Sequence, residues 1–468
     1  MRKQIWTLKD KLMIKQLLIT AFTCLMCSCG MYRHYTPPTD LRTGDLYGEE
    51  TAGDSIGLGQ LHWTEVFPDL RLQALIGQGL QNNSEMRIAK LRVEQAEASL
   101  TASRLAFVPS LSFSPMGTAS SFDGRKTELS YHVPFEASWQ LDIFGRLRNA
   151  KERVKTQVES SRVYRQAVQV GLIASIASHY YSLSVLHEQL GILEQTKEVW
   201  NETVRTTKLL METGQYNDAA VSRAEANYNE VCATLSECRQ QIRETENALS
   251  VLLGDAIHGI ECNKPEGWRG AERIATGVPL LLLSQRPDVR QAELNLAAAF
   301  YTANEARSAF YPSIVLSGNA GWTNIAGSIA NPGKLLLEAV GTLVQPVFQN
   351  GRLKANLRIA RSQQEEAKVN FQQSLLNAGM EVNNALTRMQ TYAEKAEFYA
   401  AQESALKRTV RSARILMENG SSDYLEILTA QESLLSARLS FLTNLYNEIS
   451  SYITLYEALG GGSHCTGS

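Results

Sequence analysis

The sequence has few of the motifs from which an enzyme active site or a metal centre is usually recognised. Its seven histidines are scattered, and no His-Glu-x-x-His, Gly-x-Ser-x-Gly or Gly-x-x-x-x-Gly-Lys-Ser/Thr motif occurs. Seven cysteines among 468 residues are too few for a disulfide scaffold, and no Cys-x-x-Cys pair lies near paired histidines. We therefore expect no catalytic site, no cofactor and no bound metal.

The chain also lacks a large charge excess and long apolar runs. Its formal net charge is −2, and no stretch after residue 30 reaches 18 consecutive apolar residues. A mildly acidic chain is a poor candidate for binding nucleic acid, and no transmembrane helix is expected after residue 30. Any insertion into a membrane must therefore come from strands or from a lipid.

The N-terminus has the pattern of an export signal. Basic residues precede an apolar stretch at 17–27, so residues 1–28 are predicted to form a cleaved leader. Cys29 follows a serine and precedes a glycine, which is similar to a bacterial lipobox, and we predict that it is acylated. An ordinary signal peptide is the alternative, and acylation of Cys27 or a start at Met13 also stays open.

The rest of the chain contains two copies of one sequence pattern. Three pairs of short matches recur in order at offsets of 203 to 206 residues: RLAFVPSL at 104–111 with RSAFYPSI at 307–314, GRL at 145–147 with 351–353, and ETGQYNDA at 212–219 with ENGSSDYL at 418–425. The repeats are predicted at 81–253 and 287–458. A segment at 29–80 precedes them, a connector rich in Gly and Pro at 254–286 joins them, and a tail at 459–468 follows.

Each repeat has the predicted order helix, strand, strand, very long helix, helix. Apolar and polar residues alternate in the predicted strands, most clearly at 131–143. The strands are predicted at 108–116, 131–143, 312–322 and 335–348, and the polar segment between the first two is predicted to be a loop. Alternation fits either a membrane strand or a half-buried soluble sheet.

The two longest helices are predicted at 147–211 and 350–416, where Gly and Pro are nearly absent. Each would be ~100 Å long, far beyond the usual helix of a globular domain. The shorter helices that follow them have apolar residues at heptad spacing, and the last helix has two such seams. Helices of this kind form either an ordinary bundle or a closed tube of helices.

Four strands cannot close a membrane barrel by themselves, because about eight are the minimum. If the strands cross a membrane, the chain must therefore form oligomers, and three copies would supply twelve strands.

Several short motifs carry a family resemblance over roughly residues 60–462. They are WQLDIFGRLR at 139–148, Arg286-Pro287-Asp288, AFYPS at 309–313, QPVF at 345–348, DYLEIL at 423–428 and LYEALGGG at 455–462. In this order they resemble the TolC-like outer-membrane efflux proteins. The leader with Cys29 resembles that of the OprM/NodT-like lipoproteins of the same family.

The resemblance implies a mainly α-helical fold with membrane β-strands: a homotrimer with a 12-stranded β-barrel continued by a long periplasmic α-helical barrel. The protein would be anchored to the bacterial outer membrane by its lipid and extend into the periplasm. It would be the passive, gated conduit of a tripartite efflux system of the multidrug type. Its partners would be a periplasmic adaptor and an inner-membrane pump.

The resemblance also implies a gate at the periplasmic tip, formed by the turns at 211–218 and 417–423. Glu426 occupies a position that is acidic in the ring of some family members, and Asp218 and Asp423 lie in the two turns. Carboxylates gathered on a threefold axis would favour cations. For Asp218 and Asp423 the alternative is a helix N-cap, a position that Asp often occupies.

Four aromatic residues of the predicted strands suit a surface that faces lipid, namely Tyr131, Phe135, Trp139 and Trp322. The alternative is an ordinary core. Two other functions stay open at this point: a lipid-anchored periplasmic coiled-coil adaptor without a pore, and the outer-membrane component of a protein-secretion system.

Overall fold

A computed structural model describes residues 33–38, 61–121, 123–124, 126–265, 286–323, 334–418 and 424–461. Its helices are α1 (Trp63–Val66), α2 (Leu70–Asn82), α3 (Ser84–Leu105), α4 (Arg146–Glu212), α5 (Asp218–Leu253), α6 (Pro287–Ser308), α7 (Arg352–Glu418) and α8 (Tyr424–Ala458). Its strands are β1 (Ser110–Phe113), β2 (Met116–Ser120), β3 (Glu128–Leu141), β4 (Ser313–Thr323) and β5 (Lys334–Val344). No described helix is both long and apolar enough to cross a membrane.

The structure repeats the pattern that the sequence predicted. The long helices α4 and α7 have 67 residues each, and their first residues are Arg146 and Arg352. The strands β3 and β5 begin at Glu128 and Lys334, so the same offset of 206 residues relates both pairs. The mainly helical, duplicated unit is therefore confirmed.

The chain divides into two compact units that do not coincide with the two repeats. The first unit takes residues from Met1–Leu41, Leu91–Arg162 and Gln291–Gln372, and the second takes the other segments. Each unit therefore draws on both repeats, because α4 and α7 are long enough to contribute residues to both units.

The first unit holds an antiparallel sheet in the order β1/β2, β3, β4, β5. β1 and β2 both pair with β3 in one continuous register, from Ser110 opposite Ser138 to Ser120 opposite Glu128. They are thus two halves of one strand. The strand is interrupted at Pro115, opposite the part of β3 that contains Pro134. Proline has no N–H to donate to a neighbouring strand.

The strand boundaries differ from those predicted in two places. The segment after Met116 was predicted to be a loop, but residues up to Ser120 pair with β3, which itself begins at Glu128. Serine and threonine alternate with small apolar residues there, so the alternation was too weak to detect. β5 ends at Val344 rather than at residue 348, close to Pro346, which cannot donate a ladder hydrogen bond.

Short local contacts fix the turn from β3 into α4. Asp142 accepts hydrogen bonds from the backbone N–H groups of Leu147 at 2.9 Å and Arg148 at 3.0 Å, which satisfies two unpaired donors at the start of the helix. The Phe144 ring stacks on Tyr311, with centroids 5.2 Å apart, and so joins this turn to the start of β4 in the same unit. The two repeats therefore pack on each other where helix and sheet meet.

The second unit is built on buried helix seams. Most heptad positions of α5 are buried, including Val221, Ala224, Val231, Leu235, Cys238, Ile242 and Leu249. On α8, residues of both seams are buried, among them Ile427, Leu428, Ala430, Ala437, Leu442 and Ile449. A helix that buries two adjacent seams contacts neighbours on both sides, as the sequence predicted for this helix.

Candidate functional site

The sheet of the first unit carries one apolar face across all its strands. Residues directly opposite each other in antiparallel strands share a face. The rows on this face are Leu111–Ala137–Gly318–Ala339, Phe113–Phe135–Ala320–Leu337, Val133–Trp322–Leu335 and Trp139–Leu316–Gly341. The register thus aligns the apolar positions of strands whose residues are as far apart in sequence as Leu111 and Ala339.

The four aromatic residues predicted to face lipid all belong to this apolar face. Phe135 is 48% exposed, Trp139 is 38% exposed and Trp322 is 51% exposed, whereas Tyr131 is half-buried. The indole N–H of Trp139 donates to the Phe107 carbonyl at 2.9 Å, so its polar atom is satisfied while its ring stays exposed. A soluble core would bury such rings, so a single protomer presents an apolar surface that needs a cover.

On β3 and β4 the opposite face of the sheet is mainly polar and small, whereas β5 presents Leu336, Val340 and Val344 there beside Glu338. Along β3 it presents Ser130, His132, Glu136, Ser138 and Gln140, and along β4 it presents Ser317 and Asn319. The described residues add no further strand beyond β5 or beyond β1 and β2, so both edges keep backbone groups available for another chain.

The second unit contains the described part of the predicted tip. Asp218 is not the N-cap of α5, contrary to the capping alternative, because Asn217 takes that role and accepts from the Ala220 N–H at 3.1 Å. Asparagine caps a helix as well as aspartate does. Asp218 is the first helical residue and is exposed, which leaves its carboxylate in contact with solvent.

Glu426 lies in the first turn of α8, and its side chain is exposed. The neighbouring Ile427 and Leu428 are buried, so the helix directs Glu426 away from its apolar seams. Asp423 and Cys29 lie outside the described residues.

The motif Arg286-Pro287-Asp288 forms a charged centre in the second unit. The Arg286 side chain is only 6% exposed and donates to Glu381 at 2.6 Å and to Asp288 at 2.8 Å. It also donates to the Ala458 carbonyl at 2.8 Å, at the end of α8. One arginine therefore connects the start of α6 with α7 and α8.

These ion pairs shift the pKa values of the groups involved. Burial opposes the charge of Arg286, but the hydrogen bonds that it donates to Asp288 and Glu381 outweigh burial and raise its pKa. Burial would raise the pKa of Asp288, yet the hydrogen bond and charge of Arg286 hold that pKa below its usual range. The centre therefore stays ionised near neutral pH.

A second polar centre was missed by the sequence analysis. The hydroxyl of the fully buried Tyr180 donates to Asp69 at 2.7 Å and accepts from the Asn263 N–H at 3.0 Å. Asp69 also caps α2 through the Arg71 N–H at 2.9 Å. Three segments that are distant in sequence meet at Tyr180. The one sequence signal for this centre is Asp69, which follows a proline and is a typical N-cap residue at the start of a helix.

The described residues contain no group of three His, Cys, Asp or Glu side chains placed to hold a metal ion.

Comparison with known proteins relates this chain to a protein family. A profile of the family "Outer membrane efflux protein" matches residues 75–255 and 278–461. The chain is 29% identical over 410 residues to the probable outer membrane lipoprotein SilC of Salmonella typhimurium, which covers 86% of this chain and 88% of SilC. It is likewise 29% identical over 405 residues to the cation efflux system protein CusC of Escherichia coli K12, over 86% of this chain and 88% of CusC.

Solved structures agree with these relatives. A crystal structure of CusC superposes with a TM-score of 0.84 at 27% identity, over 93% of this chain and 100% of the CusC chain. The open state of the MtrE outer membrane channel of Neisseria gonorrhoeae superposes with a TM-score of 0.85 at 26% identity, over 93% of this chain and 98% of MtrE. The repeated order of helices and strands and the apolar face of the sheet agree with these matches. The chain belongs to the outer membrane efflux protein family.

Proposed function

We propose that this outer-membrane efflux protein acts as a homotrimer whose sheets join into one 12-stranded barrel. The continuous apolar face of the sheet is the observation that supports this proposal most directly. A bilayer would cover that face, and the open edges at β5 and at β1/β2 would pair with neighbouring copies. The polar face would then line a lumen.

In this proposal the helices of the second unit continue the conduit into the periplasm. The buried seams of α5 and α8 support a tube of helices rather than an isolated rod. The tip would meet a periplasmic adaptor, and an inner-membrane pump would supply the energy. The chain itself would perform no chemical step and would let its cargo diffuse. CusC is named for cation efflux and TtgC of Pseudomonas putida for toluene efflux, so we assign the choice of cargo to the pump.

Cys29 would carry the lipid anchor, in keeping with the name of SilC as a probable lipoprotein. Acyl chains would hold the N-terminus at the outer membrane in addition to the strands.

The experiment that tests this function is extraction of membranes followed by electrophoresis with and without heating. An oligomer with three times the mass of the protomer that dissociates only on boiling supports the trimer. A protein that is released as a monomer once its acyl anchor is removed would refute it and favour the adaptor alternative. Efflux is then tested by comparing growth in the presence of toxic compounds between a deletion strain and the same strain with the gene restored.

A further inference from the structure

We propose that β5 of one copy pairs with β1 and β2 of the next copy in one defined register, with Thr342 opposite Met116 and Glu338 opposite Ser120. We call this pairing the junction between copies. The proposal rests on the proposed function, because it requires copies of the chain to join edge to edge. It goes further by naming the residues that meet, which follow from the internal duplication of the chain.

The two repeats build their pairs of strands in the same way. Ser110 Oγ donates to the Ser138 carbonyl of β3 at 3.2 Å, and Ser313 Oγ donates to the Val344 carbonyl of β5 at 3.5 Å. The two donors are 203 positions apart and the two acceptors 206 positions apart, which are the offsets of the sequence matches. β4 with β5 is therefore a second copy of β1 and β2 with β3.

A second pair of contacts has the same spacing. The indole N–H of Trp139 donates to the Phe107 carbonyl at 2.9 Å, and the side-chain amide of Gln345 donates to the Phe310 carbonyl at 3.1 Å. Two different side chains thus make one contact at equivalent positions, so the equivalence extends to the ends of the strands.

Within one chain, the two repeats join where β3 lies beside β4. In this internal junction Glu136 lies opposite Asn319, and His132 lies opposite Thr323. The strand that ends the first repeat therefore pairs with the strand that begins the second repeat. The end of the second repeat is β5, and its free edge has no partner among the described strands.

The same arrangement between copies places β5 where β3 lies and β1 with β2 of the next copy where β4 lies. Applying the offset of 206 to β3 and that of 203 to β4 converts the internal register into that of the junction. Thr342 then lies opposite Met116, and Glu338 lies opposite Ser120. Since three copies form a ring in the proposed function, this junction would occur three times.

The derived register keeps the apolar face continuous from one copy to the next. Ala339 comes to lie opposite Ala119 and Gly341 opposite Gly117, and all four positions belong to the apolar face. A register shifted by one residue would place the apolar face of one copy beside the opposite face of its neighbour. The offsets come from contacts within the chain, so the agreement of the faces is an independent check.

The backbone groups at the two open edges also match in this register. The Ser114 N–H donates to the Pro134 carbonyl of β3 at 3.4 Å, so the odd-numbered residues of β1 and β2 direct their backbone groups to the open edge. The Val344 carbonyl faces β4, so the odd-numbered residues of β5 face the other open edge. Odd-numbered residues of both edges therefore meet. Even-numbered pairs such as Thr342 and Met116 have no hydrogen bonds across the junction, and their side chains lie closest together.

One side-chain contact of the internal junction can form again between copies. Thr323 Oγ1 donates to the Tyr131 carbonyl at 3.2 Å. The equivalent residues are Ser120 and Leu337, so a hydroxyl can again donate to the backbone of the neighbouring strand.

The test joins copies through disulfides at four positions. The aligned pairs are Thr342→Cys with Met116→Cys and Glu338→Cys with Ser120→Cys, and exchanging their partners gives two misaligned pairs. Each misaligned pair is four residues out of register, ~13 Å along the strand, whereas a disulfide needs Cα atoms within about 7 Å. Within one chain the paired positions lie three strand spacings apart, about 14 Å, so each disulfide must join two copies.

Membranes that contain each variant are oxidised with copper phenanthroline and analysed by electrophoresis after boiling without reductant. The parent protein gives the background from its own cysteines. Glu136→Cys with Asn319→Cys is the positive control, because these positions lie opposite each other within one chain and their disulfide removes two free thiols.

We expect both aligned pairs to give covalent trimers that reductant separates, at rates about tenfold or more above those of the misaligned pairs. A misaligned pair that links as fast as an aligned pair would overturn the register but leave the trimer in place. If the positive control reacts and no pair links the copies of an oligomer that still dissociates only on boiling, the copies do not join through β5 and this inference is wrong. A parent protein that is monomeric in the membrane would contradict the proposed function, and this inference with it.

Discussion

Arg286 Nη2 and Glu381 Oε2 lie 2.6 Å apart, so the residue that precedes α6 is bound directly to the long helix α7. Since the arginine is almost wholly buried, this contact and those to Asp288 and Ala458 must form together. The centre joins two of the motifs that carried the family resemblance, Arg286-Pro287-Asp288 and LYEALGGG at 455–462, which contains Ala458.

Arg286→Ala should destabilise the protein by about 2–4 kcal/mol, because it leaves Glu381 and the Ala458 carbonyl without their donor. Arg286→Lys should lose less stability than Arg286→Ala, since lysine keeps the charge but not the forked geometry of the guanidinium. Thermal unfolding in detergent, followed by circular dichroism, measures the change. Arg205→Ala is the matched control: its ion pair with Glu202 is 3.9 Å long and exposed, so its effect should stay below about 0.5 kcal/mol. Equal effects of the two alanine variants would contradict the role of Arg286.

Gly461→Ala should destabilise the second unit by about 2–3 kcal/mol. Gly461 has a φ of 59°, and a Cβ atom there would lie 2.5 Å from Val170 Cγ1. Gly191→Ala is the control, because nothing lies within 4 Å of its Cβ position in α4. It should stabilise the helix by up to about 1 kcal/mol. The same unfolding measurement distinguishes them, and a neutral Gly461→Ala would show that this close approach is not required.

Glu403 should make stability depend on pH in the acid range. Burial would raise its pKa, but the hydrogen bonds and charges of Lys407 at 2.8 Å and Arg438 at 3.1 Å outweigh burial and lower it. A carboxyl whose folded pKa lies below its unfolded value stabilises the fold above the unfolded pKa and loses that contribution as pH falls. Glu403→Gln should therefore be less stable than the parent at pH 7, by about 1 kcal/mol, and this difference should shrink as the pH falls through the acid range and Glu403 becomes protonated. A difference that persists unchanged at low pH would mean that packing, not charge, causes it.

Glu426→Gln should reduce cation preference and alter the conductance of the purified protein in a planar bilayer, if Glu426 faces the axis at the tip. The expected reason is that, in the proposed trimer, the variant would remove three fixed negative charges from a constriction. Glu230→Gln removes another exposed carboxylate, from α5, and should leave the channels unchanged. If both variants form the same channels, we would conclude that Glu426 does not line the lumen, although the protein still forms a conduit.

Cys29→Ser should abolish incorporation of labelled palmitate, whereas Cys27→Ser should not. The reason is that only the first residue after cleavage becomes acylated in a lipoprotein leader. Labelling of growing cells followed by electrophoresis gives the answer. Loss of label in Cys27→Ser alone would move the acylation site to that cysteine.

Much of the fold could be predicted from the sequence, because its signals are local or periodic. The near absence of Gly and Pro over two long stretches predicted α4 and α7 to within two residues at either end. Heptad spacing predicted the buried face of α5, since side chains three and four residues apart lie on one side of a helix. The duplication followed from short matches at a nearly constant offset.

The tertiary structure decided what depends on pairing between distant residues. The continuity of β1 and β2 through a proline could not be predicted, since the register with β3 holds them together. The choice of Asn217 over Asp218 as N-cap depended on where the helix begins, which two equally good capping residues do not specify. Arg286 and Tyr180 acquired their partners from segments up to 172 residues away. Sequence alone thus determined which elements form and which of their faces are apolar, because both follow from local backbone preference and side-chain period. Only the packed chain decided which charged groups are buried together and which rows cross the sheet, because those contacts depend on bringing remote residues within a few ångströms of each other.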